Sequence, residues 1–120
     1  MDLSTKDIEA LLPLPPATFH ILMALTADDR HGYGIIQDVE ARTEGALRLS
    51  AGTLYRTLQR LLDRDMITEL QIRPTTDSDD PRRRYYRITP FGTAVARAEA
   101  ARLTRLVRLA RDSGLAPEAP

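Results

Sequence analysis

Apolar residues follow a helical period up to about residue 64 and a period of 2 beyond it. The first firm helix is predicted from about Pro16 to Ala27. Phe19, Leu22, Met23 and Thr26 share one face, and Ile21 and Leu25 widen it. Ahead of it, Pro13, Pro15 and Pro16 exclude a regular helix between Leu12 and Pro16, leaving room for a short helix from about Ser4 to Leu11. The polar run Asp28-Asp29-Arg30-His31-Gly32 reads as a loop closing on glycine. A second helix spans about Tyr33 to Thr43 on Ile35, Ile36 and Val39, and Gly45 ends it. Ser50 is the expected N-cap of a third helix that runs to about Arg64. Its stripe is Leu54, Leu58, Leu61 and Leu62, with Arg56 and Arg60 roughly opposite.

Then the period shortens. Thr68, Leu70 and Ile72 alternate with Glu69, Gln71 and Arg73; Tyr86 and Ile88 alternate with Tyr85 and Arg87. This assigns Tyr86 and Ile88 to the core and turns Tyr85 and Arg87 away. The connection from Pro74 to Arg83 has no apolar side chain besides its prolines, as expected of a hairpin tip. Thr89-Pro90 supplies an N-cap followed by proline, opening a long helix to about Ser113, where Ser113-Gly114 stops it. The expected fold is mainly α with a β-hairpin: a winged helix-turn-helix over residues 16–89, preceded by an N-terminal arm (1–15). A C-terminal dimerisation helix (90–113) and a frayed tail (114–120) follow.

Composition narrows the function classes. A chain of 120 residues suits one domain. There is no cysteine, hence no disulfide or thiolate chemistry, and His20 and His31 are too few for most catalytic metal sites. No apolar run approaches the roughly 20 residues of a membrane span, and the N-terminus lacks a basic-then-apolar signal pattern, so the expected location is cytoplasmic with no membrane partner. The net charge of zero hides an asymmetry: net −5 up to Gly45 and net +5 from Ala46 onward. A pI near neutrality excludes a nonspecific polycation without excluding a local phosphate-binding face.

The basic half holds Leu49-Ser50-Ala51-Gly52-Thr53-Leu54-Tyr55-Arg56-Thr57-Leu58-Gln59-Arg60-Leu61-Leu62 and Pro81-Arg82-Arg83-Arg84-Tyr85-Tyr86-Arg87-Ile88-Thr89. A basic helix followed by an arginine-bearing hairpin is the layout of a winged helix that grips DNA. Arg56 and Arg60 taken alone fit a solvated face; beside the wing arginines Arg82, Arg83 and Arg84 they favour DNA. Ser50, Gly52 and Thr53 occupy the helix start, where N–H groups can accept a phosphate. Tyr55 has two readings, partly core or hydroxyl to phosphate. The wing arginines have an internal alternative, pairing with Asp77, Asp79 and Asp80. His31 reads as a capping and packing residue of its turn, and His20 as a core-edge residue. Leu103, Leu106, Val107 and Ala110 form the late stripe of the last helix. They either cover their own domain or face a second copy, and the length of the helix favours the second copy.

Three separated segments also resemble the PadR-type transcriptional regulators: His31-Gly32-Tyr33-Gly34, Leu49-Ser50-Ala51-Gly52-Thr53-Leu54-Tyr55, and Arg83-Arg84-Tyr85-Tyr86-Arg87-Ile88-Thr89 with Phe91-Gly92. The resemblance runs from about Leu12 to Leu109, and the tail resembles the compact subgroup with one C-terminal helix. It implies a dimeric winged-helix repressor whose terminal helices build the dimer, whose helix near Ser50 enters the major groove and whose wing touches phosphate. It also implies a position for Tyr33 from which the DNA backbone is within reach. Ala51 and Arg56 stand where the family often has proline, so its base-reading pattern does not carry over directly.

The resulting expectation is a sequence-specific DNA-binding transcriptional regulator, a homodimeric repressor on an inverted-repeat operator. It would be relieved by a small-molecule or other signal, with a hydrophobic effector allowed by the resemblance. The alternative is a winged-helix protein–protein module whose arginine surface meets an acidic partner. An enzyme finds no support: there is no nucleophile–base signature, glycine-rich phosphate loop or metal spacing, and no cofactor is implied.

Overall fold

Helix starts in this chain are set by side chains that accept an orphaned backbone N–H. The computed structural model describes residues 5–70 and 83–117. Among these the order is α1 (Thr5–Glu9), α2 (Pro16–Ala27), β1 (Arg30–His31), α3 (Gly32–Arg42), α4 (Ala51–Asp63), β2 (Ile67–Glu69), β3 (Tyr85–Ile88) and α5 (Pro90–Asp112). His31 Nδ1 accepts from the Gly34 N–H at 2.9 Å to open α3. Ser50 Oγ accepts from the Thr53 N–H at 3.1 Å to open α4, and Thr89 Oγ1 accepts from the Gly92 N–H at 3.0 Å to open α5. Proline at the start of α2 loses no bond, since that donor would be orphaned anyway. The ends of α3, α4 and α5 share one geometry. A backbone N–H reaches back five residues: Gly45 to Glu40, Met66 to Leu61, Leu115 to Ala110, at 2.8–2.9 Å.

The core is built around α2, which packs against α3, α4, α5 and β3. Ile21, Leu22, Ala24 and Leu25 are its buried residues. A fully buried leucine or isoleucine contributes about 1.5–3 kcal/mol. The buried face is rotated from the expected one: Thr26 is exposed and Phe19 and Met23 are only half-buried. A helix apolar on all sides does not reveal its inner face by periodicity, and here several neighbours enclose it. On α4 the buried residues are Leu54, Thr57, Leu58 and Leu61, with Leu62 half-buried. Thr57 is tolerated inside because its hydroxyl donates to the Thr53 carbonyl at 2.8 Å.

The described strands form one antiparallel sheet in the order β1-β3-β2. Arg30 and His31 lie opposite Tyr86 and Tyr85; Ile67, Thr68 and Glu69 lie opposite Ile88, Arg87 and Tyr86. The run read as a loop thus contains a two-residue strand, and this corrects a second expectation. Tyr85 does not turn away: it is buried with Tyr86, since β3 is the central strand and the His31 ring packs edge-on against Tyr85 at 5.3 Å. In β2 the buried residue is Ile67, with Met66 just before it, while Thr68 is exposed and Leu70 half-buried. Ile72, Arg82 and the acidic Asp77, Asp79 and Asp80 lie outside the described residues.

Two contacts fix α5 to this frame. Gly92 packs so closely on the Met66 carbonyl that any Cβ would collide with it, and Thr89 Oγ1 donates to the Asp65 carbonyl at 2.6 Å. Further along, Glu99 is 2% exposed. Its Oε1 accepts from Arg102 Nε at 2.6 Å, and its Oε2 from Arg102 Nη2 at 3.0 Å and from the Leu14 N–H at 3.3 Å. The segment before α2 is thereby tied to α5. The Arg102 hydrogen bonds chiefly, with its charge and the Leu14 N–H adding, hold the Glu99 carboxyl below the usual glutamate range; burial opposes them.

A lowered folded-state pKa contributes stability above the unfolded-state value and loses it as pH falls through the folded one. Glu99→Gln is therefore expected to be less stable than wild type at neutral pH. The difference should stay constant above about pH 6 and close below about pH 4, around and under the unfolded glutamate value. Urea midpoints measured across that range check it; a difference independent of pH would contradict the ionised role.

Candidate nucleic-acid interface

The buried stripe of α4 fixes what the helix shows to the outside. At 100° per residue, Gly52, Arg56, Gln59 and Asp63 fall on the face opposite Leu54, Leu58 and Leu61, and all four are exposed. Tyr55 stands on one flank and Arg60 on the other. Ser50 and Thr53 are bonded to each other: besides the cap, Ser50 Oγ lies 3.1 Å from Thr53 Oγ1. The Thr53 hydroxyl is also 3.5 Å from Arg56 Nη2, which steadies that guanidinium along the helix start. The Thr53 N–H expected to meet a phosphate is therefore already spent on the cap. Gly52 is bare, and a Cβ placed there would meet nothing within 4 Å.

On the flank of Tyr55, the sheet brings three segments together. A cleft of about 380 Å³ is lined by His31, Gly32, Tyr33, Tyr55, Arg83, Arg84 and Tyr86. Gly32 lets the Tyr55 ring lie close, since a Cβ there would stand 2.8 Å from the Tyr55 hydroxyl and the ring would have to shift. Tyr55 lies over the first turn of α3 and remains 55% exposed, which decides its two readings against the core; Tyr33 is 57% exposed. The floor residue Tyr86 keeps its phenol proton above the ordinary range, chiefly because it is buried, with the Glu69 charge adding and Arg84 opposing.

The arginines around the cleft differ in what holds them. Arg87 donates twice to Asp29, at 3.0 and 2.7 Å, and belongs to the frame. Arg84 has a loose ion pair to Glu69 at 3.5 Å, with both side chains largely exposed. Arg83 Nη1 lies 3.1 Å from His31 Nε2. Because His31 Nδ1 accepts the Gly34 N–H, a neutral ring carries its proton on Nε2, and a guanidinium has only donors. His31 therefore satisfies none of Arg83's hydrogen-bonding capacity. The cleft presents two cationic forks and three phenols to one volume, a donor set suited to an anionic oxygen.

Of the expected residues, Tyr33, Tyr55, Arg83 and Arg84 meet in this cleft, and Gly52 and Arg56 share the adjoining face of α4. Arg60 does not join them. It lines a smaller cavity of about 180 Å³ with Arg64, Leu11, Leu14 and Pro15 on the opposite flank. Arg82 lies outside the described residues. Gln59 was missed from the sequence, although the helical wheel that selected Arg56 places it on the same face. On α5, Leu103 and Ala110 are half-buried, while Leu106, Val107 and Leu109 are exposed. Among the described residues no three histidine or acidic side chains cluster as a metal site, and no helix is long and apolar enough to cross a membrane.

A family model described as the transcriptional regulator PadR-like family matches residues 21–98. A curated relative, an uncharacterised protein of Lysinibacillus sphaericus, is 36% identical over 74 residues, 62% of this chain; the match spans 65% of that relative's length. Among solved structures, a transcriptional regulator from Clostridium thermocellum is 22% identical with a TM-score of 0.67, covering 92% of this chain and 97% of its own. A PadR-like transcription factor from Bacteroides fragilis has the same identity and TM-score, covering 88% and 97%. Bacillus subtilis PadR, solved in complex with operator DNA, is 20% identical with a TM-score of 0.58, covering 70% of this chain and 46% of its own. At these identities the structures establish a shared fold.

Two substitutions at the start of α4 should move stability in opposite directions. Ser50→Ala removes the cap and is expected to cost about 0.5–2 kcal/mol. Gly52→Ala meets no neighbour and is expected to add about 0.5–1 kcal/mol through helix propensity. Urea unfolding measures both, and a destabilised Gly52→Ala would mean that the first turn is not the open surface described.

Proposed function

The chain belongs to the transcriptional regulator PadR-like family, and on that premise we propose that it regulates transcription by binding duplex DNA sequence-specifically through α4 and the wing. The observation that carries this reading is the cleft where Arg83, Arg84, Tyr33 and Tyr55 converge beside the outward face of α4. Phosphate contacts from the cleft supply affinity, and side chains on the α4 face supply selectivity. The geometry suits α4 to the major groove with the wing along the backbone.

The active form in this proposal is a homodimer joined through α5. Support comes from Leu106, Val107 and Leu109, at 42–61% exposure on a helix that extends past its own core. A two-fold dimer presents its recognition helices symmetrically, so the operator is an inverted repeat with half-sites about 10 bp apart. Bound there, the dimer acts as a repressor by excluding other proteins from the same duplex. An apolar groove of about 370 Å³ between α2 and α5, lined by Phe19, Met23, Ala96 and Ala100, supports release by a hydrophobic small molecule.

Titrating wild type and Arg83→Ala with duplex DNA over a range of salt tests the DNA reading. Wild-type affinity should fall steeply with salt, and Arg83→Ala should bind all duplexes more weakly with a slope lower by about one. Binding to an acidic protein but to no duplex at low salt would move the assignment to a protein–protein module.

Light scattering tests the assembly. Leu106→Arg is expected to convert a dimer to a monomer while circular dichroism keeps most of the helicity. A wild type that is monomeric at micromolar concentration would remove the dimer from the proposal.

A further inference from the structure

The face of α4 opposite its core holds Gly52, Arg56, Gln59 and Asp63. Gln59 Nε2 donates to Asp63 Oδ1 at 2.9 Å. An ionised carboxylate only accepts hydrogen bonds, so the amide must turn its nitrogen toward Asp63. The exposed amide keeps its second proton and Oε1 for another partner. That pair, one donor beside one acceptor, matches one base edge in the major groove. Adenine presents its N7 acceptor and N6 donor in this arrangement, whereas guanine presents two acceptors and would set its O6 against Oε1.

We propose that Gln59 is a specificity-determining residue that reads an adenine, and that Asp63 is the positioning residue that sets the orientation of its amide. The inference rests on the DNA-binding reading and deepens it. Arg56, three residues earlier, lies about 4.5 Å back along the helix at 1.5 Å per residue. Base pairs are stacked about 3.4 Å apart. Arg56, with two donors for guanine O6 and N7, and Gln59 therefore address base pairs at most two steps apart. Bare Gly52 lets the helix backbone come near the groove wall ahead of them. Asp63 also places a negative charge at the far end of the face. This disfavours a phosphate there and keeps the inserted part of α4 ahead of Asp63.

Selection from random duplexes with wild type, Gln59→Ala, Gln59→Glu and Asp63→Ala tests the assignment. Wild type is expected to fix an adenine within two base pairs of a guanine in each half-site. Gln59→Ala should lose preference at the adenine alone, with about 5- to 150-fold weaker binding to the wild-type site and an unchanged salt slope. Gln59→Glu should prefer cytosine there, since a carboxylate accepts from N4. Asp63→Ala should weaken the adenine preference while binding random duplex more tightly. A purely structural surface pair would leave every base preference in place. If wild type enriches a site that Gln59→Ala reads identically, or Gln59→Glu keeps adenine, the assignment of Gln59 is overturned and the DNA reading stands. If wild type enriches nothing at any salt, the DNA reading itself falls, and this inference with it.

Discussion

The pairing of Arg30 and His31 with Tyr86 and Tyr85 is the contact on which the arrangement of the interface depends. Only two residues take part, yet they make β3 a central strand and join three distant segments. Arg30 also donates from Nε to the Ala24 carbonyl at 2.9 Å, near the end of α2, and pairs with Asp38 of α3 at 3.1 Å. His31 caps α3 and packs on Tyr85. The wing is consequently anchored to the turn that begins α3. Tyr55, lying over Gly32, brings α4 to the same place. The cleft is a consequence of strand pairing rather than of the sequence proximity of its lining residues.

The arginines of the frame and those of the cleft differ in what they touch. Arg30, Arg42, Arg87 and Arg102 each meet a carboxylate at 3.1 Å or less and serve the frame. Arg83 and Arg84 are held weakly, and an exposed ion pair such as that of Arg84 with Glu69 contributes about 0–1 kcal/mol. Exchanging that partner for another anion costs little, and the two forks need no rearrangement of the core. This sorting explains how a chain with net charge zero can offer a cationic surface. Asp38, Asp29 and Glu99 are taken up by the structural arginines.

Much of this was legible in the sequence. The caps Ser50 and Thr89, the proline start of α2 and the long α5 follow from local rules that tertiary packing did not override. The errors came where a local pattern does not determine what lies across from it. Tyr85 alternates correctly, but its second face is covered by a strand two residues long, below what periodicity can detect. The inner face of α2 was misjudged since nearly every position on it is apolar. Glu99 reads as a surface residue of an arginine-rich helix, and only the fold reveals that Leu14 and Arg102 enclose it. Arg56 and the wing arginines were selected in the sequence by charge. Gln59 was passed over because charge was the criterion and an amide carries none.

The outward face of α4 is mechanically separate from what holds the helix in place. Leu54, Leu58 and Leu61 anchor it, Ser50 caps it, and the turn at Asp65 and Met66 is clamped by Thr89 and Gly92. Gly52, Arg56, Gln59 and Asp63 enter none of these contacts. Exchanges at exposed helix positions such as Arg56, Gln59 and Asp63 usually change stability by no more than about 0.5 kcal/mol. His31 and Tyr85 have no such freedom, because each packs into a space defined by another segment. The outward face of α4 can therefore change while the frame that presents it stays fixed, and this follows from the way burial is distributed around one helix.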